Sequence, residues 1–256
     1  ENMNQNTNST QTVDVLVVGG GVNGAGVALD AAGRGLSVAL CEKGDLAGAT
    51  SSSSSKLIHG GLRYLEHYEF RLVKEALAER EVLLEKAPHI MWPLRFRLPH
   101  QKHLRPAWMI RIGLFLYDSL AKRNVLPRSK KMSTSPTGPL VNDITTCFEY
   151  SDGWVDDARL VVLNALAAQD QGASIYTRTE CISAEKQDKL WKVTLKDALG
   201  KTFTINAKAV VNAAGPWAVS FLDRLADTKN PNAMRMVKGS HFIVPKLYDT
   251  DEAYIL

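Results

Sequence analysis

The chain has 256 residues, of which 45% are hydrophobic and 23% charged, and its formal net charge is +4. This composition is typical of a folded globular protein and argues against a mainly disordered chain. The length allows one or two domains with a sizeable core. No apolar run approaches the ~20 residues of a membrane span. The three cysteines lack a metal-binding spacing, so we expect reduced thiols in a reducing compartment and no metal site.

A glycine-rich turn follows the first hydrophobic segment. Residues 13–18 predict a strand, and Gly19, Gly21 and Gly24 then form G-x-G-x-x-G ahead of a helical stretch. A second strand over residues 36–41 ends on Glu42. In this context the glycines allow a tight turn, a close approach of backbone to a pyrophosphate and close helix packing, while the acid binds a ribose. The helix N-terminus attracts phosphates. A dinucleotide-binding unit is predicted, the alternative being a glycine-rich turn without a ligand.

Residues 56–64 carry polar functional side chains on both sides of a glycine pair, and they directly follow five serines at 51–55. The serines alone would be typical of a flexible linker. Their position at the end of a βαβ unit instead favours backbone folded against a ligand. A helical pattern over residues 65–87 follows, and Pro88 ends it.

Residues 101–131 are strongly basic, with eight Lys or Arg against one acid, Asp118. A largely apolar helix is predicted over residues 106–123, and residues 124–147 are predicted to be an irregular connection. Such a basic patch suggests an anionic partner. The segment is either an amphipathic helix at an anionic lipid surface or a buried helix with a basic rim. Nucleic acid is not expected, because no recognition motif accompanies the charge.

The C-terminal half predicts a helix from Asp156 or Asp157 to about residue 169, ended by Gly172. Strands are predicted over residues 174–184, 190–195 and 203–212, the last two joined by a turn at 197–200. Residues 213–217 form a small-residue turn at a strand end, which offers a second backbone approach to the dinucleotide. A further strand is predicted over 236–244. The chain stops at 253–256 without a cap, so we expect a fragment cut in mid-strand. Residues 1–11 are expected to be a disordered tail.

Five motifs resemble one family. They are Ser-Ser-Lys-Leu-Ile-His-Gly-Gly-Leu-Arg-Tyr-Leu-Glu-His at 54–67, Arg-Phe-Arg-Leu-Pro-His at 95–100, Glu-Tyr-Ser-Asp-Gly-Trp-Val-Asp-Asp-Ala-Arg-Leu at 149–160, Asn-Ala-Ala-Gly-Pro-Trp at 212–217 and Lys-Gly-Ser-His at 238–241. The chain resembles the FAD-dependent, respiratory, quinone-linked glycerol-3-phosphate dehydrogenases of the bacterial aerobic type, within the glycine-oxidase-like flavoprotein superfamily. Members of that family are substantially longer than this chain.

The resemblance implies an α/β fold, with a Rossmann-like FAD-binding domain interleaved with a mixed-sheet substrate domain. The FAD-binding domain is expected over residues 12–87 and 150–222, a basic membrane-facing insertion over 88–149, and the start of the substrate-domain sheet over 223–256. The implied reaction oxidises sn-glycerol 3-phosphate to dihydroxyacetone phosphate and passes electrons to a membrane quinone. The implied enzyme is a homodimer, peripheral on the cytoplasmic face of the cell membrane. Alternatives are an oxygen-using glycerophosphate or amino-acid oxidase and a non-catalytic FAD- or membrane-binding fragment.

The resemblance also implies site residues. Arg63 and Tyr64 match positions that face the substrate, although Arg63 could instead form a surface salt bridge. His241 could accept the hydroxyl proton, since the pKa of histidine lies near neutrality, or it could be a core residue. His59 is the second candidate base and could instead contact the flavin. The expected FAD-binding residues are Gly19, Gly21, Asn23, Gly24, Glu42, Thr50, Ser51, Ser54, Lys56, Leu57, Cys181, Ala214 and Gly215, with the backbone rather than the thiol of Cys181 holding the adenine.

Overall fold

The computed structural model describes residues 10–101, 103, 105–134, 138–225, 237 and 239–255, without the side chains of residues 63, 66, 224 and 225. Most of the predicted N-terminal tail therefore lies outside the described residues, but its last residue does not. Gln11 begins the first strand. The chain divides into two compact units. The first contains Glu1–Ser54 and Asp157–Gly239, and the second contains Ser55–Asp156 and Ser240–Leu256.

Five α-helices and eleven strands lie within the described residues. The strands are β1 (Gln11–Val18), β2 (Val38–Cys41), β3 (Leu57–Ile58), β4 (Met91–Pro99), β5 (Lys130–Ser133), β6 (Thr146–Val155), β7 (Ser174–Tyr176), β8 (Thr179–Gln187), β9 (Leu190–Asp197), β10 (Thr202–Asn212) and β11 (Ala253–Tyr254). The helices are α1 (Val22–Gly33), α2 (Phe70–Lys86), α3 (Ala107–Ser119), α4 (Asp157–Asp170) and α5 (Ala218–Leu225), with 3-10 turns at Thr50–Ser52, Leu62–His67 and Gly215–Trp217.

The first unit is built on a six-stranded mixed sheet in the order β7-β2-β1-β10-β9-β8. The first four strands are parallel, and β9 and β8 continue the sheet antiparallel. Leu16, Val17 and Leu40 have no exposed surface, because α1 and α4 cover one face and α5 lies on the other. Burial on both faces explains why β1 and β2 are nearly continuous apolar runs. The α/β, Rossmann-like prediction is confirmed.

The second unit is built on a five-stranded sheet in which β11, β4, β6 and β3 are neighbours and β5 also pairs with β6. β4 and β6 are antiparallel over nine residue pairs, while β11 is parallel to β4. Phe96, Phe148 and Tyr150 share one face of this sheet and pack with Leu77 of α2 and Leu114 of α3. The mixed sheet of the predicted second domain is thus present.

The boundaries between the two units differ from the domain boundaries that the sequence predicted. Residues 55–87 and 150–156 were expected in the FAD-binding domain but belong to the second unit. β3 pairs with β6, and α2 packs on the sheet formed by β4 and β6. Residues 88–149 are therefore no separate insertion, since they supply β4 and most of β6.

Several predicted elements have different bounds. α2 begins at Phe70 rather than 65, because Gly61 (φ 71°) and Tyr68 (φ 59°) take the left-handed conformation on either side of a 3-10 turn. The predicted strand over 174–184 is two strands, β7 and β8, separated where Arg178 has a φ of 50°. β5 lies inside the predicted irregular connection. The predicted strand at 236–244 is wrong, since residues 239–244 form no strand.

Candidate functional site

A cavity of about 450 Å³ opens in the first unit at the carboxyl ends of β1, β2 and β10. This edge of a parallel sheet is where α/β folds place their ligands. Its walls come from the glycine turn after β1, from the end of β2, from the loop through the serines and from the turn after β10. The lining residues used below are Gly19, Gly21, Glu42, Lys43, Thr50, Ser51, Cys181, Ala214, Gly215, Trp217 and Phe221.

Each glycine of the turn has its own geometric requirement. Gly19 has a φ of 113°, and a Cβ on it would lie 2.3 Å from the carbonyl oxygen of Ala213. A Cβ on Gly24 would lie 1.8 Å from the carbonyl oxygen of Gly19, so α1 packs against the turn itself. Gly21 has extended backbone, and its Cβ would meet only the Ser51 hydroxyl, at 3.1 Å. Its missing side chain therefore leaves space at the cavity wall rather than inside the fold.

Glu42 holds the glycine turn as well as facing the cavity. Its Oε2 accepts a hydrogen bond from the Gly20 amide at 2.7 Å, and its Oε1 accepts one from the Gly44 amide at 2.7 Å. A carboxylate has about four acceptor positions, so each oxygen can accept one further hydrogen bond. The carboxylate can therefore bind ribose hydroxyls while it keeps the two loops in place.

The serine loop closes onto the start of α1. Ser51 Oγ accepts a hydrogen bond from the Val22 amide at 2.9 Å, which satisfies one of the N–H groups that a helix N-terminus leaves open. Thr50 and Ser51 lie in a 3-10 turn and line the cavity. Ser51, the first of the five serines, is thus part of the site wall rather than of a flexible linker.

Cys181 lines the cavity with its neighbours Thr179 and Glu180. A hydrogen bond between the Cys41 and Cys181 side chains, together with burial, raises the pKa of the Cys41 thiol well above its usual value. None of the three cysteines forms a disulfide, and all three are buried. The side chain of Cys41 is therefore held as an unreactive thiol, in line with a structural role for this cysteine pair.

Lys43 and Trp217 line the cavity and escaped the sequence-based prediction. Lys43 Nζ lies 5.1 Å from the centroid of the Trp217 ring, within cation–π range. Phe221 of α5 adds a second aromatic ring to the lining. The signals were present, since Lys43 directly follows Glu42 and Trp217 ends the motif at 212–217. Only the fold shows that the two segments meet.

Five of the predicted cofactor residues do not line the cavity. One of them, Gly24, instead lets α1 pack against the glycine turn. Asn23 is exposed on the first turn of α1. Ser54 Oγ donates to Asp157 Oδ2 at 2.7 Å and ties the serine loop to the start of α4. Lys56 and Leu57 lie in the second unit, where the Lys56 carbonyl accepts from the Val155 amide and Leu57 pairs with Trp154. Ser54, Lys56 and Leu57 therefore tie loops and strands together within their own units.

The predicted catalytic residues all fall in the second unit. His59 is exposed beside Gly60 and Gly61, and Tyr64 is 47% exposed one turn later. The side chain of Arg63 lies outside the described part. His241 is exposed in a segment without regular structure, so its expected place on a strand is wrong. His59 and Tyr64 share one turn, and the structure describes no contact that adds His241 to them.

The cavity walls fit a dinucleotide. Space left by Gly21, the N-terminal end of α1 and the carboxylate of Glu42 provide, in order, room for a pyrophosphate, positive potential for its charge and acceptors for a ribose. The backbone of residues 179–181 and the ring of Trp217 complete a partly apolar wall that suits an adenine. Among the described residues, no group of three or more His, Cys, Asp or Glu is placed to hold a metal ion.

Comparisons with known proteins agree with this site. The family model for FAD-dependent oxidoreductases matches residues 14–255. A glycerol-3-phosphate dehydrogenase of Pseudomonas tolaasii is 61% identical over 96% of this chain and 48% of its own length. A D-erythritol 1-phosphate dehydrogenase of Brucella abortus is 54% identical over 96% of this chain and 50% of its own length. The chain thus spans about half the length of these relatives.

A solved structure gives the same picture of the fold. The glycerol-3-phosphate dehydrogenase of Bacillus halodurans, complexed with FAD, aligns with a TM-score of 0.60 and 30% sequence identity. The alignment covers 83% of this chain and 36% of that one.

Proposed function

This chain belongs to the FAD-dependent oxidoreductases, and we propose from this premise that the protein oxidises sn-glycerol 3-phosphate to dihydroxyacetone phosphate, with a membrane quinone as electron acceptor. The observation that carries the proposal is the cavity of the first unit, whose walls suit FAD in a chain 61% identical to a glycerol-3-phosphate dehydrogenase. A homodimer on the cytoplasmic face of the cell membrane is part of the proposal.

When bound, FAD supplies the acceptor for a hydride. The chain's own residues bind and orient it. The backbone at Gly21 and the end of α1 hold the pyrophosphate, Glu42 holds the ribose, and the backbone of residues 179–181 faces the adenine. Because these contacts are mostly backbone groups fixed by the sheet, they position the cofactor with little conformational freedom.

The second unit supplies the proposed substrate groups. An arginine at position 63 can hold two phosphate oxygens at once, and the Tyr64 hydroxyl can donate beside it. A base must take the proton of the hydroxyl as it is oxidised, and His241 and His59 are the candidates. These roles come from the family resemblance.

Two sugar-alcohol phosphates compete as the substrate, because a relative named for D-erythritol 1-phosphate is nearly as similar as those named for glycerol 3-phosphate. The test is to add each compound, without oxygen, to the purified full protein and to follow the flavin absorbance. We expect glycerol 3-phosphate to bleach the flavin at a lower concentration than D-erythritol 1-phosphate. Bleaching by neither would leave a flavin-binding protein without this activity. Reoxidation by a soluble quinone but only slowly by oxygen would separate a dehydrogenase from an oxidase.

Replacing Arg63 by alanine should lower kcat/KM for glycerol 3-phosphate but not for glycerol. A bidentate, charge-assisted contact contributes about 1.5–3 kcal/mol, so kcat/KM for the phosphate ester should fall about 10- to 150-fold. The measurement is steady-state quinone reduction with both compounds. Arg71→Ala is the matched control, since Arg71 is exposed and pairs with Glu75 one helical turn away. Equal losses for both compounds would make Arg63 structural.

An exposed apolar face on α3 supports attachment to a membrane surface. Trp108, Ile112 and Phe115 are 63%, 51% and 58% exposed and lie three and four residues apart. The opposite face, with Leu114 and Tyr117, is buried in the second unit. Within the described part of the chain, no helix is both long and apolar enough to cross a bilayer. The helix therefore suits an interfacial position, with aromatic rings in the lipid headgroups.

The basic residues around α3 differ in whether an acidic side chain already pairs with them. Lys130 pairs with Glu149 at 3.2 Å and Arg123 with Asp118 at 2.6 Å. Lys122 and Lys131 are exposed, and the described residues give them no ion pair. Lys122 and Lys131 are therefore the cations best placed to meet anionic lipid.

Reversing the charge of both lysines, as Lys122→Glu with Lys131→Glu, should weaken binding to anionic vesicles at least about 30-fold at low salt. The reason is that each basic residue near an anionic surface contributes about 1 kcal/mol. Sedimentation with vesicles of anionic or neutral lipid measures the change. Lys189→Glu with Lys201→Glu, on exposed turns of the first unit, makes the same change in net charge. If the two double substitutions weakened binding equally, the attraction to anionic vesicles would depend on net charge and not on the position of Lys122 and Lys131.

A further inference from the structure

A cluster of polar and charged side chains is buried in the second unit and has no part in the function proposed above. Arg80 of α2 and Tyr117 of α3 have no exposed surface, and Asp152 of β6 is 3% exposed. Arg80 Nη1 donates to Asp152 Oδ1 at 2.5 Å and to the Tyr117 hydroxyl at 3.2 Å. That hydroxyl donates to Asp152 Oδ1 at 2.8 Å. Burying charges costs free energy that an apolar core would avoid. A cluster of this kind is therefore expected to have a structural task.

The cluster holds the backbone of Gly60. The Gly60 amide donates to the Tyr117 hydroxyl at 3.0 Å and to Asp152 Oδ1 at 3.2 Å. A Cβ on Gly60 would lie 2.2 Å from Leu77 Cδ2 and 2.6 Å from the Tyr117 hydroxyl. The turn therefore rests directly on the cluster, without room for a side chain.

The same turn fixes the ring of His59. Gly61, with a φ of 71°, donates its amide to His59 Nδ1 at 3.1 Å. A ring nitrogen that accepts a backbone N–H carries no proton itself, so in the neutral ring the proton sits on Nε2. The hydrogen bonds from Arg80 thus end at the Gly60 amide, and the next amide along the backbone, that of Gly61, bonds His59.

We propose that Arg80, Tyr117 and Asp152 are positioning residues that hold the turn at Gly60 and Gly61 and thereby fix His59 as an Nε2–H donor. His59 then donates a hydrogen bond to an oxygen of the bound substrate and does not take the hydroxyl proton. This role rests on the proposed function, since it requires the reacting groups to lie beside residues 59–64. It leaves His241 as the candidate base.

The test is to determine which nitrogen of His59 carries the proton. Long-range proton–nitrogen NMR spectra of the full protein, labelled with ¹⁵N in histidine and kept without substrate at mildly alkaline pH, distinguish the two neutral forms. The signals of His59 are those lost in His59→Gln. We expect the Nε2–H form in the unsubstituted protein and a mixture of the two forms in Tyr117→Phe, which removes one of the two acceptors of the Gly60 amide. Tyr176→Phe is the control. The Tyr176 hydroxyl donates to the exposed Gln11 side chain in the first unit, so its loss should leave the signals unchanged.

An Nδ1–H ring in the unsubstituted protein would overturn the proposal. Signals of His59 in a folded Tyr117→Phe protein identical to those of the unsubstituted protein would overturn the role of the cluster. The first measurement needs no variant of the cluster, so a Tyr117→Phe protein that fails to fold leaves it decisive. The NMR measurement is made without substrate, so its result does not depend on whether the protein oxidises glycerol 3-phosphate.

Discussion

Replacing Gly21 by valine should give a folded protein that purifies without FAD. Gly21 has extended backbone that any residue adopts, and a Cβ there would meet only the hydroxyl of Ser51, at 3.1 Å. The added side chain therefore costs the fold little but occupies the space through which a pyrophosphate reaches the end of α1. We expect FAD affinity to fall at least about 100-fold. The flavin absorbance per mole of protein and a titration of the apoprotein with FAD measure it.

Two other glycines of the same helix turn serve as controls. Gly26→Ala places a Cβ where no atom lies within 4 Å, so flavin content and stability should not fall. Gly24→Val drives a side chain into the carbonyl oxygen of Gly19 and should damage the fold itself. Normal flavin content in a folded Gly21→Val protein would place the phosphates elsewhere. A Gly21→Val protein as unstable as Gly24→Val would make the loss of flavin non-specific.

The first unit was largely predictable because its determinants are local in sequence. Gly19, Gly21 and Gly24 with the apolar runs on both sides specify strand, turn and helix within a short stretch, and Glu42 follows at the end of the next strand. The fastening of that turn could not be predicted. The bond from the Val22 amide to Ser51 joins residues 29 positions apart, and only the parallel pairing of β1 with β2 brings the two loops together.

The second unit was less predictable because the residues of its strands do not simply alternate between apolar and polar. β6 buries Glu149 and Asp152, and its neighbour β4 contains prolines at both 93 and 99, so neither segment resembles a strand locally. Their acids are stabilised by arginines far away in sequence, such as Arg95 for Glu149. The opposite error occurred at 236–244, where a strand was predicted. There Phe242 and Ile243 are almost fully exposed, and among the described residues no strand pairs with the segment. A strand needs such a neighbour to satisfy its backbone groups.

Removing the carboxylate of Asp152 should destabilise the second unit strongly. Asp152→Ala leaves the fully buried guanidinium of Arg80 without its 2.5 Å partner, and breaking a buried pair from one side costs about 3–5 kcal/mol. Glu81 stays 3.5 Å from the other end of the guanidinium and offsets part of that cost. We therefore expect a loss of about 3 kcal/mol in the free energy of unfolding, measured by urea denaturation of the full protein.

An exposed ion pair and a double substitution show whether burial causes the loss. Arg34 and Asp30 pair at 2.7 Å with side chains 72% and 66% exposed, so Asp30→Ala should cost less than about 1 kcal/mol. Replacing both buried partners, as Arg80→Met with Asp152→Leu, removes the unpaired guanidinium but leaves Glu81 without that cation, so it should recover part of the stability lost in Asp152→Ala. That double variant should still lack one of the two acceptors of the Gly60 amide, so its His59 ring should show a mixture of the two neutral forms even where stability returns. A double variant as unstable as Asp152→Ala would mean that the cost comes from the lost hydrogen bonds to the turn rather than from the buried charge.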